Sequence, residues 1–438
     1  MKTLKKINHE VALAMIAATL MFTLSCKKES PNESAGLSAA DNQNVSKKTV
    51  SSPWHKMSSG VSAPHRGIIE MSTFSQTTCY GVMYDDSGNP PYQDISITHN
   101  GGATWQVQSI AGLENNYLLG VAATSSKIVH VFGYNYVSGG GTVFRSTDGG
   151  ATWQREAANA YNDPASFPDD IKFFDSKNGA MFGDPQDGYF EIYTTSDGGD
   201  SWKRVPSNKV PVPLPNEYGV TYHTDTYKNT YWVITSTLDS NFNPVSSRLL
   251  QSDDKGLSWY VKNPYLTFNG WDGTIKFRNE SVGLYKNNAI LYRTTNGGTT
   301  WNEVNYSGTW FSFDFDNIPG KPGWWISTGG GTPGNVNSAY GFGSSISYDE
   351  GDHWTTLDTL NHTCVDMTNP VHGYSGGITS GSGDDGVFIY SFPHAGPNSV
   401  VSAGNAFVNN QKVNVSKLSG NAFLPGNKSA VLRHHKYR

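Results

Sequence analysis

Acidic, basic and aromatic residues recur along this chain in small sets whose side chains suffice for sugar, cation or peptide chemistry. The sets are His65 with Arg66, Asn116 with Tyr117, Asp169 with Asp170, Asn216 with Glu217, Trp271 with Asp272, Trp310 with Asp314, and Asn361 with His362. Asp85, Asp86, Asp184 and Asp187 add carboxylates in turn-like segments such as "GDPQDG". Hydrolysis of a glycosidic bond needs two carboxyls at a defined separation. The candidate acids are Asp169, Asp170, Asp184, Glu217 and Asp272, assisted by His65, Arg66 or His362. Tyr117, Trp271, Trp310 and Asp187 are candidate ligand contacts. No pair is singled out, and each residue taken alone also suits a strand cap or a turn. There is no HExxH or Cys/His cluster, no GxGxxG between strand and helix, no GxxxxGK[ST] and no GxSxG, so neither a metal nor a cofactor is expected.

The elements that must position these residues announce themselves by repetition. THNGGATW, STDGGATW, TSDGGDSW, SDDKGLSW, TTNGGTTW and SYDEGDHW end at Trp105, Trp153, Trp202, Trp259, Trp301 and Trp354, at intervals of 42 to 57 residues. The shared form is Ser/Thr-x-Asp/Asn-x-Gly-x-x-Trp. Its hydroxyl and Asp/Asn side chains can bond backbone amides within the turn, and glycine supplies the positive φ that closes it. Asn100, Asp148, Asp197, Asp254, Asn296 and Asp349 are therefore read as structural. Alternating runs flank each turn, as in "GTVFRS" before Trp153 and "WQREAA" after its turn, so each copy joins two antiparallel strands. Two further runs precede most copies, giving four short strands per unit, the arrangement of a β-propeller blade.

After Trp354 three strands follow with no fourth, whereas "PWHKMSSG" near the other end resembles a fourth strand with no turn before it. The expectation is an all-β, single seven-bladed propeller of four-stranded antiparallel blades. Its N-terminal strand closes the last blade and so removes the open edges. All six turns then lie on one face, the bottom. The segments leading into each innermost strand, and the loops between second and third strands, gather on the opposite, top face, where the candidate residues lie.

The boundaries read from composition are 1–25, 26–51, 52–394 and 395–438. "MKTLKK" followed by the apolar run 11–24 and "SC" reads as a lipoprotein signal peptide cleaved before Cys26, with ordinary secretion as the alternative. Residues 26–51, rich in Ser, Asn, Ala and Lys, read as a flexible tether, and 395–438 as a polar, poorly ordered tail. Cys26 would carry the lipid that anchors the protein to the membrane, in the cell envelope, at the outer membrane or cell surface. Cys79 and Cys364 fall in the first and last blades, where a disulfide is open to them, although two buried thiols is the preferred reading. The formal net charge of -5 gives no basic field for nucleic acid. A monomer is expected.

The six turns make the chain resemble the BNR, or Asp-box, propellers. Sialidases of that group carry Arg-Ile-Pro in the first blade, whereas "HRGIIEM" has Arg66 without it. Xyloglucan endoglucanases contain two propellers, and this chain has room for one. The segment 171–206 and the "RGI" at Arg66 are similar to the photosystem II stability/assembly factor-like secreted propellers. That resemblance covers 52–394 and implies a fold; it carries over no catalytic residue. The expected function is a binding or assembly module that holds a protein or glycan on its top face. The alternative is a carbohydrate-active enzyme, a glycoside hydrolase or polysaccharide lyase.

Overall fold

A computed structural model describes residues 52–61, 66–85, 94–266, 273–330, 341–378 and 386–391. Of the sites read from the sequence, Cys26, His65, Asp86, Trp271, Asp272 and the two termini lie outside the described residues. The rest forms seven antiparallel sheets of a propeller, with one 3-10 turn at Ser207–Lys209. Blades 1 to 5 begin with the innermost strands Arg66–Thr73, Asn116–Ala123, Pro168–Phe173, Glu217–Tyr227 and Gly273–Phe277. Blades 6 and 7 begin with Asp314–Asn317 and Val365–Asn369.

Blade 7 is completed across the ends of the chain. Trp54–Met57 lies beside Val387–Tyr390, with Trp54 opposite Tyr390 and Met57 opposite Val387. The apolar core follows from this closure. Among the described residues it divides into seven clusters, each at a junction between neighbouring blades. Alternation sends every second strand residue into such a junction. The tryptophan that ends each turn packs toward the preceding blade: Trp259 of blade 4, for example, lies in one cluster with Ala180, Phe182 and Tyr231. Cys79 and Cys364 are free thiols buried together at the junction of blades 7 and 1.

The six turns share one hydrogen-bond pattern. The hydroxyls of Thr98, Ser146, Thr195, Ser252, Thr294 and Ser347 accept the amides of Gly102, Gly150, Gly199, Gly256, Gly298 and Gly351 at 2.8 to 3.0 Å. Oδ1 of each following Asp or Asn accepts the amide four residues on at 2.8 to 2.9 Å. The glycines need their freedom: Gly150 has φ 94° and Gly256 φ 85°. Lys255 and Glu350 hold the preceding left-handed position at φ 61° and 62°, where the other four copies have glycine.

Two details depart from a regular four-strand plan. Ser307–Gly308 adds a parallel fifth strand to blade 6 against His353 and Trp354, covering its outer edge. In blade 3 the alternating run 189–195 is broken. Tyr189–Phe190 pairs with Pro185–Gln186 as a separate hairpin, and Tyr193–Thr195 rejoins the blade. Glu191 lies at the break, buried, with Oε1 accepting the Tyr161 amide at 3.1 Å and the Tyr193 hydroxyl at 2.7 Å. These bonds hold the side chain inward.

Candidate functional site

The top-face acids of blades 3 and 4 are brought together, and each is engaged by its neighbours. Glu217, at the start of blade 4, faces the Arg248 guanidinium two strands away, with Nη2 at 2.6 Å, and accepts the Leu214 amide at 2.7 Å. Arg248 also donates to the Val212 carbonyl, so the pair holds the 211–215 segment against the blade. Asp170 accepts the Tyr231 hydroxyl at 2.6 Å and faces Lys172 Nζ at 3.2 Å. Asp169 and Asp184 are both buried, beside one another. Burial pushes Asp184 well above the usual carboxylate range, and the nearby Glu191 adds to the shift. The Gly219 amide, donating at 2.9 Å, and Asp169 partly offset it. Gly219 has to be glycine here, because a Cβ would lie 1.9 Å from Asp169 Oδ2.

His362 is likewise built in. Its Nδ1 meets Ser375 Oγ at 3.0 Å and its Nε2 meets both Asp358 oxygens at 3.1 Å. A Ser/His/Asp set of this kind could serve nucleophilic catalysis if it were open to substrate. Here His362 and Ser375 are fully buried. Asp358 also accepts Ser52 Oγ at 2.9 Å and Ser344 Oγ at 3.1 Å, while Trp54 Nε1 donates to Ser344 at 2.8 Å. The group is a latch that ties the N-terminal strand to blades 6 and 7. Burial works to raise the Asp358 pKa, but His362, Ser52 and the Leu360 amide outweigh it and hold the carboxyl below its ordinary value.

Other candidates divide between rim and core. Trp310 is buried against Trp354, with ring centroids 4.6 Å apart, and against Phe315 at 5.6 Å. Arg66 pairs with Asp94 at 3.4 Å. Tyr117 is half-buried at the top of blade 2, 5.5 Å from the Tyr136 ring. On the neighbouring blade, Asp187 is exposed at the tip of the extra hairpin with φ 60°, and Arg204 Nη1 reaches it at 3.1 Å. The Arg204 guanidinium also lies 4.0 Å from the centre of the Tyr189 ring. Blades 2 and 3 thus carry a rim of aromatic faces and opposite charges.

The sequence reading missed the axis itself. A chamber of about 250 Å³ lies where the innermost strands converge, and every blade contributes to its lining. At equivalent positions these strands hold Ser72, Ala122, Lys172, Asp225, Lys276, Asp316 and Asp366. Several of these side chains clamp the next blade. Ser72 accepts the Ala123 amide at 2.9 Å, Asp316 the Met367 amide at 2.9 Å and Asp366 the Thr73 amide at 2.6 Å. One level up, Asp314 accepts the Val365 amide at 3.0 Å, and Glu70 adds a further carboxylate to the lining. Burial pushes Asp316 up to about 8, against the pull of Lys276 and with the push of Asp366. Asp225 and Asp366 are raised for the same first reason. Burial would lower Lys276, yet Asp316, Asp225, Asp314 and Asp366 together raise it. The sequence signal was a lone lysine in two apolar runs, "IKF" and "TIKF".

No family model matches the chain, and no curated protein matches it. Solved structures do. YCF48 bound to D1 peptide is 14% identical with a TM-score of 0.52, over 80% of this chain and 100% of that one. YCF48 from Cyanidioschyzon merolae is 16% identical with a TM-score of 0.53, over 77% and 98%. An α-L-arabinofuranosidase from Fusarium graminearum is 13% identical at a TM-score of 0.44, over 68% and 97%. At such identities the likeness is one of fold: this chain is a seven-bladed β-propeller of the kind that YCF48 also adopts.

Proposed function

We propose that the chain is a lipid-anchored, extracytoplasmic propeller that holds a protein or glycan partner against its top face. The observation that carries this reading is the commitment of the top-face acids. Glycoside hydrolysis asks for one carboxyl to protonate the leaving group and a second to act across an open site. Glu217 is instead neutralised by Arg248, Asp184 is buried beside Asp169 and accepts the Gly219 amide, and Asp170 is held by Tyr231 and Lys172. The rim of blades 2 and 3 offers different chemistry. Tyr117 and Tyr136 present ring faces on which a sugar or a peptide side chain can stack, and Asp187 and Arg204 present opposite charges beside them. The same fold in YCF48 has been seen with a D1 peptide. The apolar run before Cys26 and the polar stretch 26–51 support display from a lipid anchor.

Panels of immobilised glycans and peptides test the reading, with product release followed in parallel. Saturable binding is expected without turnover. Tyr117→Ala should weaken it by about tenfold, the upper end of what one aromatic contact contributes, with the fold unchanged by circular dichroism. Turnover of a polysaccharide at enzyme-like rates overturns the reading in favour of a hydrolase or lyase. Metabolic labelling with a fatty acid, lost in Cys26→Ala, tests the anchor.

A further inference from the structure

Blade 4 breaks the pattern of the innermost strands. Blades 1, 2 and 3 each carry one extra residue there: Ile69, Leu119 and Asp169 fall between consecutive pairs of the register. In blade 4 the pairs Gly219 with Thr235 and Thr224 with Val233 leave Val220, Thr221, Tyr222 and His223 opposite Ile234 alone. This expanded bulge is fastened to both neighbours. Thr221 Oγ1 donates to Asp169 of blade 3 at 3.4 Å, and His223 Nδ1 meets the Tyr285 hydroxyl of blade 5 at 3.4 Å. Val220, Thr221 and His223 are buried, whereas Tyr222 is half-buried and lines the axial chamber. Its φ is 68°, a left-handed conformation that is an outlier for a bulky residue. Bulges beside functional sites re-aim a side chain, and such strain persists only where the surroundings over-determine it.

The chamber that Tyr222 lines is formally balanced in charge. Glu70, Asp314 and Asp366 line it from blades 1, 6 and 7, and Lys172, Lys276 and Lys286 from blades 3 and 5. Members of both sets are held before any ligand arrives. Asp314 and Asp366 accept the Val365 and Thr73 amides at 3.0 and 2.6 Å, Lys172 faces Asp170 at 3.2 Å, and Lys286 donates to the Ser312 carbonyl at 2.8 Å. An ion of either sign would meet no surplus of opposite charge to offset its lost hydration. Among the described residues, no three His, Cys, Asp or Glu side chains are placed to hold a metal ion either. A sugar hydroxyl is served by both sets at once, because it donates to a carboxylate while accepting from an ammonium. Phe173, Phe313 and Tyr222 add aromatic rings to the lining, the kind of surface on which the C–H face of a pyranose packs.

We propose that the axial chamber binds one neutral sugar residue, with Tyr222 as the ring against which it stacks. The volume of about 250 Å³ lies just below the range of sites for drug-sized ligands, roughly 300 to 1,000 Å³, which suits a single sugar ring. The site is separate from the rim of blades 2 and 3, so it stands whether or not that rim holds a partner.

Isothermal titration calorimetry of the full chain at neutral pH tests this. The neutral probes are D-glucose, D-galactose, D-mannose and N-acetyl-D-glucosamine, and the charged ones are D-glucosamine and D-glucuronate. At least one neutral sugar should bind saturably at millimolar concentration or below, and the charged sugars at least about tenfold more weakly. Tyr222→Phe keeps the ring and should retain binding. Tyr222→Gly keeps the left-handed backbone without the strain. It should unfold in urea no earlier than the parent chain, yet bind about tenfold more weakly. A merely structural tyrosine would not separate binding from stability in this way. The proposal is overturned if no neutral sugar binds at millimolar concentration, or if a charged sugar binds as tightly as the neutral ones. It is equally overturned if Tyr222→Gly binds as tightly as the parent, or if Tyr222→Phe loses binding as Tyr222→Gly does. A Tyr222→Gly chain that fails to fold also overturns it, because Tyr222 would then serve the fold.

Discussion

The bottom-face turns recur in six of the seven blades and the axial positions in all seven, and they behave in opposite ways. In the turns, the same hydroxyl and the same Asp or Asn oxygen accept the same amides in six blades. On the axis, equivalent strand positions hold serine, alanine, lysine or aspartate, from Ser72 and Ala122 through Lys172 to Asp366. Repetition marks what each blade needs in order to fold. Variation marks what the assembled ring can do, because only closure brings the inner strands to one chamber. The top-face acids complicate this division. They vary between blades as functional residues would, yet Glu217 and Asp184 are bonded as firmly as any turn residue.

The sharpest way to break the comparison is to treat a varied residue as structural and see whether stability agrees. Glu217→Ala leaves Arg248 buried without its partner, and should cost about 3 to 5 kcal/mol in urea unfolding. A loss of less than about 1 kcal/mol would return Glu217 to the functional side. The latch comes next in size. Asp358→Ala removes a charged acceptor from Ser52, Ser344 and His362, for which about 2 kcal/mol is expected. Hydrogen exchange should accelerate first in Trp54–Met57. Since the folded pKa of Asp358 lies below its unfolded value, its contribution is fully present above the ordinary carboxylate range and is lost as pH falls through the depressed folded value. The parent chain should therefore lose protection of this strand in acid, and Asp358→Ala should lose that pH dependence.

The line between legible and illegible residues follows the range of their bonds. The turns were legible because their partners lie within four residues, and closure was legible because Trp54 begins a strand like those after the turns yet lacks one. Glu217 read as a free acid because Arg248 stands 31 positions away. Trp310 read as a ligand contact because nothing local announces that it meets Trp354. Lys276 and Asp366 were passed over because a single charge in an alternating strand reads as a solvent-facing position. The propeller turns that same face toward a shared axis.

A turn residue tests the repetitive side at smaller amplitude. Asp148 accepts the Thr152 amide at 2.8 Å and its hydroxyl at 2.6 Å, and with the Ser146 hydroxyl these hold its pKa down to about 2. Asp148→Ala removes this capping acceptor and should lower the urea unfolding midpoint by less than the latch substitution does. Asp148→Asn should recover most of the loss, because Asn100 and Asn296 hold the equivalent position in two other turns.

The smallest effect carries the opposite sign, and it separates a structural acid from a catalytic one. Asp184 is buried beside Asp169, and burial keeps its folded pKa well above the unfolded value. An acid shifted this way favours the folded state most below its unfolded pKa, and that advantage declines as pH rises toward the folded value. Asn at this position can still accept the Gly219 amide and can donate to Asp169 without titrating. Asp184→Asn should therefore match the parent chain in mild acid and exceed it at neutral and higher pH by about 1 kcal/mol, the scale of one net hydrogen bond. Thermal unfolding followed across that pH range measures the difference. A general acid replaced by its amide would instead show unchanged stability and lost turnover, so a flat stability profile would move Asp184 away from the turns and toward the chemistry of the top face.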